Sequence, residues 1–309
     1  MVYFLLLIGF ALLVFSGRIL IRSSVSIAHR LKLSPFVIGL TIVAIGTSAP
    51  ELMVSLTGAV KGHTDLAIYN VIGSNISNIL LVLAVTVLIL PITVNSKTFW
   101  PNWSVMFLFS LFVFLFLLDL RFSWNEGLLI FILLIGYVIY SVYNSDSSDQ
   151  QVDDGNQKNL NLVPALLMIV GSSGGLALGA DLLVDNAVIL ARDFGISERI
   201  ISVSLIAVGT SIPELTTSAI AAFRKQTDIS IGNIIGSNVF NLGFVLGITS
   251  MVKPLQVSPM ILSFDIYWLF GIAFVLMGLL FIPPKLTLSR WKGLAMLSIY
   301  LIYLYSVLQ

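Results

Sequence analysis

Ala44-Ile-Gly-Thr-Ser-Ala-Pro-Glu51 returns 163 residues later as Ala207-Val-Gly-Thr-Ser-Ile-Pro-Glu214. The same offset carries Asn70-Val-Ile-Gly-Ser-Asn-Ile-Ser-Asn78 onto Asn233-Ile-Ile-Gly-Ser-Asn-Val-Phe-Asn241. Between the blocks, Lys61-Gly-His-Thr-Asp65 matches Arg224-Lys-Gln-Thr-Asp228 in length and partly in residue. About half the positions from 44 to 86 equal their partners, without a gap. Chance similarity among apolar residues yields scattered Leu and Ile matches. It does not align Gly, Ser, Asn, Pro and Glu. The chain is an internal duplication.

Working outward, the surroundings of these blocks are apolar. Of 309 residues, 58% are hydrophobic and 10% charged, none is cysteine, and the mean hydropathy is +1.02. Soluble domains carry about 25% charged residues, so a soluble enzyme, a disordered chain and a nucleic-acid binder are excluded. Without cysteine there is no disulfide scaffold and no thiolate metal site. Apolar runs fall at 2–21, 35–60, 66–90, 103–119, 124–143, 161–183, 198–222, 229–250, 259–282 and 289–307. Each is close to the roughly 20 residues that cross a bilayer. The reading is an all-α polytopic membrane protein with ten transmembrane helices. The first run lacks the basic lead of a signal peptide and reads as a retained span. A polar stretch with Asp146, Asp149, Asp153 and Asp154 divides the chain into 1–143, a linker at 144–160, and 161–309. Such a linker is too short for a regulatory domain.

Basic residues orient the spans. Arg18, Arg22, Arg30, Lys32, Lys97, Lys158, Arg224, Lys225, Lys285, Arg290 and Lys292 fall on one side; Lys61, Arg121, Arg192, Arg199 and Lys253 fall on the other. The richer side is read as cytoplasmic, with the linker inside and both termini outside. Five spans per half make the copies inverted repeats, whose substrate sites lie near the midplane where interrupted helices meet. Pro50 and Pro213 fall mid-span, and proline removes a backbone donor there. The expectation is discontinuous core helices.

Glu51 and Glu214 are read as the acids deepest in apolar spans, with no Lys or Arg a turn or two away. Such a residue marks an ion or proton pathway by default. Thr47 and Glu51 share a helix face at i and i+4, beside Ser48, and Thr210, Ser211 and Glu214 repeat this. Ser74 with Asn78 and Ser237 with Asn241 make a second polar stripe. Carbonyls near the prolines, such as those of Ala44 and Ala207, add further oxygens. Hard oxygen shells suit Ca²⁺, Mg²⁺ or alkali ions rather than zinc or copper. Two carboxylates match one Ca²⁺ in charge, and Ser, Thr and carbonyl donors can build smaller Na⁺ shells. The residues alone point to an alternating-access cation antiporter, with Ca²⁺ favoured.

The paired Gly-Thr-Ser-x-Pro-Glu and Gly-Ser-Asn-x-x-Asn blocks resemble the two α-repeats of the sodium/calcium exchanger family. The resemblance implies that Na⁺ entry drives Ca²⁺ out of the cell. It implies Glu51, Glu214, Thr47 and Thr210 as ligands shared by both ions. Ser48, Ser74, Asn78, Ser211, Ser237 and Asn241 would complete the Na⁺ sites, with the Ala44 and Ala207 carbonyls. Asn241 stands where exchangers that also carry K⁺ have Asp, which implies the K⁺-independent branch. Three-to-one exchange is implied, hence an electrogenic cycle; one charge crossing is worth about 2.3 kcal/mol per 100 mV. The expected setting is the plasma membrane, with lipid, Na⁺ and Ca²⁺ as partners, no cofactor, no nucleic acid and a monomeric chain.

Rival readings separate by chemistry. An intramembrane serine protease needs a base, and neither His29 nor His63 lies at midspan. A proton/Ca²⁺ antiporter is the nearest competitor, because paired buried Glu can also carry protons. Asn75 and Asn238 face away from the polar stripe and read as packing or capping groups; Asp65 and Asp228 read as N-caps. Gly171, Gly175 and Gly179 offer either a tight packing face or, by the resemblance, a smooth surface on which two spans slide.

Overall fold

Backbone hydrogen bonding carries the helices past the ends of the apolar runs. In the computed structural model, residues 1–145, 160–195 and 209–308 are described. Eight helices among them are long and apolar enough to cross a membrane: α1 Val2–Leu31, α2 Pro35–Val60, α3 Thr64–Ile89, α4 Ser96–Leu117, α5 Trp124–Tyr143, α6 Leu162–Asp193, α8 Thr227–Val252 and α9 Ile261–Phe281. Two further helices among the described residues are α7 Ile212–Phe223 and α10 Arg290–Leu308. The chain is a multi-pass, all-helical membrane protein.

The apolar runs predicted α1 to end near 21, α6 near 183 and α4 to begin near 103. The helices reach Leu31, Asp193 and Ser96 instead. A hydropathy run stops at the first charge, whereas a helix stops where its hydrogen bonds end. In α1 that point is Lys32, left-handed at φ 54°. Long basic side chains on such an overhang can carry their charge to the interface. Asp65 and Asp228, expected as N-caps, lie in the first turns of α3 and α8, whose N-caps are His63 and Gln226. There a carboxylate still meets the positive end of the helix dipole.

The duplication is kept in the backbone. Thr64–Ser77 and Thr227–Phe240 are α-helical, Asn78–Val82 and Asn241–Val245 are π-turns, and Leu83–Ile89 and Leu246–Val252 resume the α-helix. Each boundary keeps the 163-residue offset. Two short antiparallel pairs tie the copies together: β1 Ile92–Thr93 pairs with β4 Thr287–Leu288, and β2 Arg121–Phe122 with β3 Leu255–Gln256. Each pair joins one strand from each copy, as a two-fold relation demands. Lys292, fully buried, donates to the carbonyls of Ile282, Pro284 and Thr287 at 2.7–2.8 Å and pins the loop before α10.

The apolar interior forms two clusters. The larger runs through α2–α5 and α8–α10; the smaller joins α1 and α6 to the rest. Gly175 and Gly179 are where α6 meets α1. A Cβ on Gly175 would overlap the Ser16 hydroxyl, and one on Gly179 would stand 3.0 Å from the Gly9 carbonyl, while Gly171 faces open space. Two of the three glycines read from the sequence therefore serve close helix contact.

Candidate ion site

Four helices, α2, α3, α7 and α8, bring the two polar blocks of each copy together. Helix α2 starts at Ser34, whose hydroxyl accepts from the Val37 amide at 3.3 Å, with Pro35 in the first turn. A π-turn at Gly39–Val43 follows, and an α-helix then runs from Ala44 to Val60 with Pro50 inside it. The break expected at Pro50 is absent. Proline withholds one donor and leaves one carbonyl short, by i to i−4 counting that of Gly46, and the helix tolerates this. Pro213 behaves differently: Thr210 and Ser211 form a turn, and α7 begins with Pro213 and Glu214 in its first turn.

Glu51 and Glu214 are both 0% exposed. Neither forms an ion pair, and no carboxylate oxygen of either has a hydrogen-bond partner among the described residues. The hydroxyls of Thr47 and Ser48 on α2, with Ser237 on α8, face Glu214 beyond hydrogen-bond geometry. A buried charge without a partner is strongly unfavourable. Such oxygens suit a cation.

The other predicted residues divide into two groups. Ser48, Ser211, Asn78 and Asn241 are buried, with hydroxyl or amide atoms that meet no hydrogen-bond partner among the described residues. Of eighteen buried polar side-chain atoms in that condition among the described residues, ten belong to these four residues and the two glutamates, so the unsatisfied polarity is concentrated here. The second group is paired across the copies. Thr47 Oγ1 lies 3.2 Å from Ser237 Oγ, and Thr210 Oγ1 lies 3.0 Å from Ser74 Oγ. Thr47 also contacts the Ala44 carbonyl at 3.3 Å. Ala207 lies outside the described residues. A cavity of about 510 Å³ opens elsewhere, among Ser34, Lys97, Asn102, Tyr137 and Asp228, and none of the predicted residues lines it.

Two pairs escaped the sequence reading. Asn70 Nδ2 donates to Ser55 Oγ at 3.0 Å, and Asn233 Nδ2 to Ser218 Oγ at 3.0 Å. These amides tie α3 to α2 and α8 to α7 beside the carboxylates. Asn70 Nδ2 also reaches the Glu51 carbonyl at 3.3 Å, while Asn233 Oδ1 accepts from Thr47 at 3.3 Å. Their signal lay in the repeat itself, where all four positions are identical between copies. Asn75, read as a packing group, donates across the copies to the Asn238 carbonyl at 3.2 Å.

Paired carboxylates amid hydroxyl and amide oxygens, buried within a multi-pass helical protein, define a cation transporter rather than an enzyme. The family described as sodium/calcium exchanger protein matches residues 1–143 and 164–309. Sodium/calcium exchanger MaX1 of Methanosarcina acetivorans is 30% identical over 98% of this chain and 97% of its own length. Inner membrane protein YrbG of Escherichia coli is 35% identical over 84% and 83%. A solved structure of the sodium-calcium exchanger NCX_Mj superposes with a TM-score of 0.83 at 32% identity, covering 99% of this chain and 98% of that one. The chain belongs to the sodium/calcium exchanger protein family, and its class of activity is cation/Ca²⁺ antiport.

Proposed function

We propose that this chain exchanges Na⁺ for Ca²⁺ by alternating access, independently of K⁺ and with net movement of charge. In this reading ten spans form two inverted five-helix repeats, 1–143 and 161–309, joined by a cytoplasmic linker at 144–160. Both termini lie outside the plasma membrane, and one chain is the working unit. The observation that carries the reading is the concentration of unpartnered buried oxygens on Glu51, Glu214, Ser48, Ser211, Asn78 and Asn241.

Two carboxylates balance one Ca²⁺, and oxygen-only ligands suit that ion. The same carboxylates, divided among smaller shells completed by Ser48, Ser211, Asn78, Asn241 and the Ala44 and Ala207 carbonyls, hold Na⁺. Thr47 with Ser237 and Thr210 with Ser74 link the two copies at the ion's edge, so a change of ion is felt by both halves. With Asn at both 78 and 241, the core carries two negative charges, which Ca²⁺ neutralises and three Na⁺ exceed by one. An inward Na⁺ gradient and a negative interior then both drive Ca²⁺ out.

The test is radiolabelled Ca²⁺ uptake into Na⁺-loaded proteoliposomes. Uptake should require internal Na⁺ and respond to an imposed potential. Replacing Na⁺ by a large organic cation at constant pH should abolish it. Exchange that persists and follows the proton gradient would instead establish proton/Ca²⁺ antiport.

A further inference from the structure

Asp265 is a buried carboxylate within the span α9 that the Glu51–Glu214 site does not use. It is 6% exposed and closes the π-turn Ile261–Asp265 at the start of α9. Three other π-turns occur among the described residues, at Gly39–Val43, Asn78–Val82 and Asn241–Val245. All three lie in helices that build the ion site, in keeping with the concentration of such turns at functional positions. The fourth ends on an acid.

Among the described residues, no counter-charge accompanies Asp265. It forms no ion pair among the described residues. On α10, Tyr300 lies beside Tyr303 with ring centroids 6.3 Å apart. Trp268, one turn along α9, packs edge-on against Tyr303 at 5.2 Å. From α3, Ser77 meets the Tyr300 hydroxyl at 3.1 Å, one residue before Asn78; Asp65 is exposed at the far start of that helix. The cation of α4, Lys97, is exposed in its first turn. Arg290 and Lys292 lie in the first turn of α10, held by the Leu88 carbonyl and by three loop carbonyls.

The duplication sharpens the contrast. Subtracting 163 from Asp265, Tyr300 and Tyr303 gives Asn102, Tyr137 and Tyr140. In that copy the Tyr137 hydroxyl donates to Asn102 Oδ1 at 2.5 Å, and Asn102 Nδ2 donates to the Thr98 carbonyl at 2.6 Å. The neutral amide is satisfied from both ends, within an ordinary α-helix. The second copy keeps the tyrosines and replaces the amide by an acid. An ionisable group at such a place marks a pathway for ions or protons by default.

We infer that Asp265, with Tyr300 and Tyr303, forms a second cation station, separate from the Glu51–Glu214 pair, that carries one monovalent cation, either a proton or Na⁺. Infrared difference spectra of the full chain in lipid vesicles, carrying Glu51→Gln and Glu214→Gln, read it without the central carboxylates. Exchanging a large organic cation for Na⁺ distinguishes the two sources. A protonated-carboxyl stretch that persists in Na⁺ and disappears with Asp265→Asn identifies a proton. A carboxylate stretch that shifts on Na⁺ addition and disappears with Asp265→Asn identifies Na⁺. Tyr303→Phe should move either band. Asp265→Glu, which keeps the carboxyl but changes its frequency, makes the same assignment if Asp265→Asn does not fold. A carboxylate ionised throughout and indifferent to Na⁺, or spectra unchanged by both Asp265 variants, overturns the inference. With the central pair removed, these outcomes do not depend on whether that pair exchanges Na⁺ for Ca²⁺.

Discussion

Glu51 and Glu214 close two copies of one octapeptide, yet the backbone holds them differently. Glu51 lies inside a continuous helix, eight residues into the stretch Ala44–Val60. Glu214 lies in the first turn of α7, behind a turn at Thr210 and Ser211. Amides at a helix start partly offset a negative charge, and of the two only Glu214 stands at a helix start. The helices packed against them differ too. The first half of α2 lies backbone to backbone on α8. A Cβ on Gly39, Gly232 or Gly236 would overlap the carbonyl of Ile229, Phe36 or Leu40 respectively. In the other copy, Tyr69 replaces Gly232, Ser202 replaces Gly39, and Gly73, the partner of Gly236, faces open space. Duplication preserved the residues of the site while replacing two of the three glycines at this crossing.

The largest effect should come from the carboxylates. Glu51→Gln and Glu214→Gln should each lower Ca²⁺ exchange in proteoliposomes by about a hundredfold or more, on the scale of the 3–5 kcal/mol lost when one member of a buried charge pair is removed. Ca²⁺ exchange retained by both variants would dismiss this site. If backbone compensation matters, the two variants should differ in Ca²⁺ affinity, and equal shifts would remove that part of the comparison.

Next come the equivalent glycines. Gly236→Ala should destabilise the protein by about 1–3 kcal/mol, the usual cost of overpacking, whereas Gly73→Ala should change stability by less than about 0.5 kcal/mol. Thermal unfolding in one detergent reads both, and equal shifts would mean that Gly73 is packed as closely as Gly236. The smallest effect concerns the repeated amides. Asn70→Ala and Asn233→Ala each remove a bond to serine, worth about 1 kcal/mol. Only Asn233 also accepts from Thr47, so Asn233→Ala should weaken Ca²⁺ exchange more than Asn70→Ala. The reverse order in transport assays would show that the link to Thr47 carries nothing.

Much of the site could be read in the chain because its residues are short polar groups at helical spacing inside apolar runs. Glu51 with Thr47, and Asn78 with Ser74, needed no tertiary knowledge to be placed on common faces. Asn70 and Ser55 were missed because their partnership crosses from one helix to the next. Asp265 was missed because its run was read as a plain span, although its partner across the repeat, Asn102, was also in view. The bounds of α1, α4 and α6 were misplaced because hydropathy reports the lipid, not the last hydrogen bond of a helix. The expected break at Pro50 failed for a related reason: one missing donor weakens a helix, and surrounding packing decides whether it parts.

By itself, the sequence determined the lipid setting, the duplication and the oxygen chemistry, since these depend on composition, offset and residue type. It could not decide which hydroxyls are spent on bonds between the copies and which remain for an ion. Thr47 and Ser237 meet at 3.2 Å, while the next residue, Ser48, meets no hydrogen-bond partner among the described residues. That division depends on how four helices cross. Only tertiary structure could show that one glutamate lies within a helix and its twin at a helix start, because near-identical octapeptides take their backbone from the neighbours against which they pack.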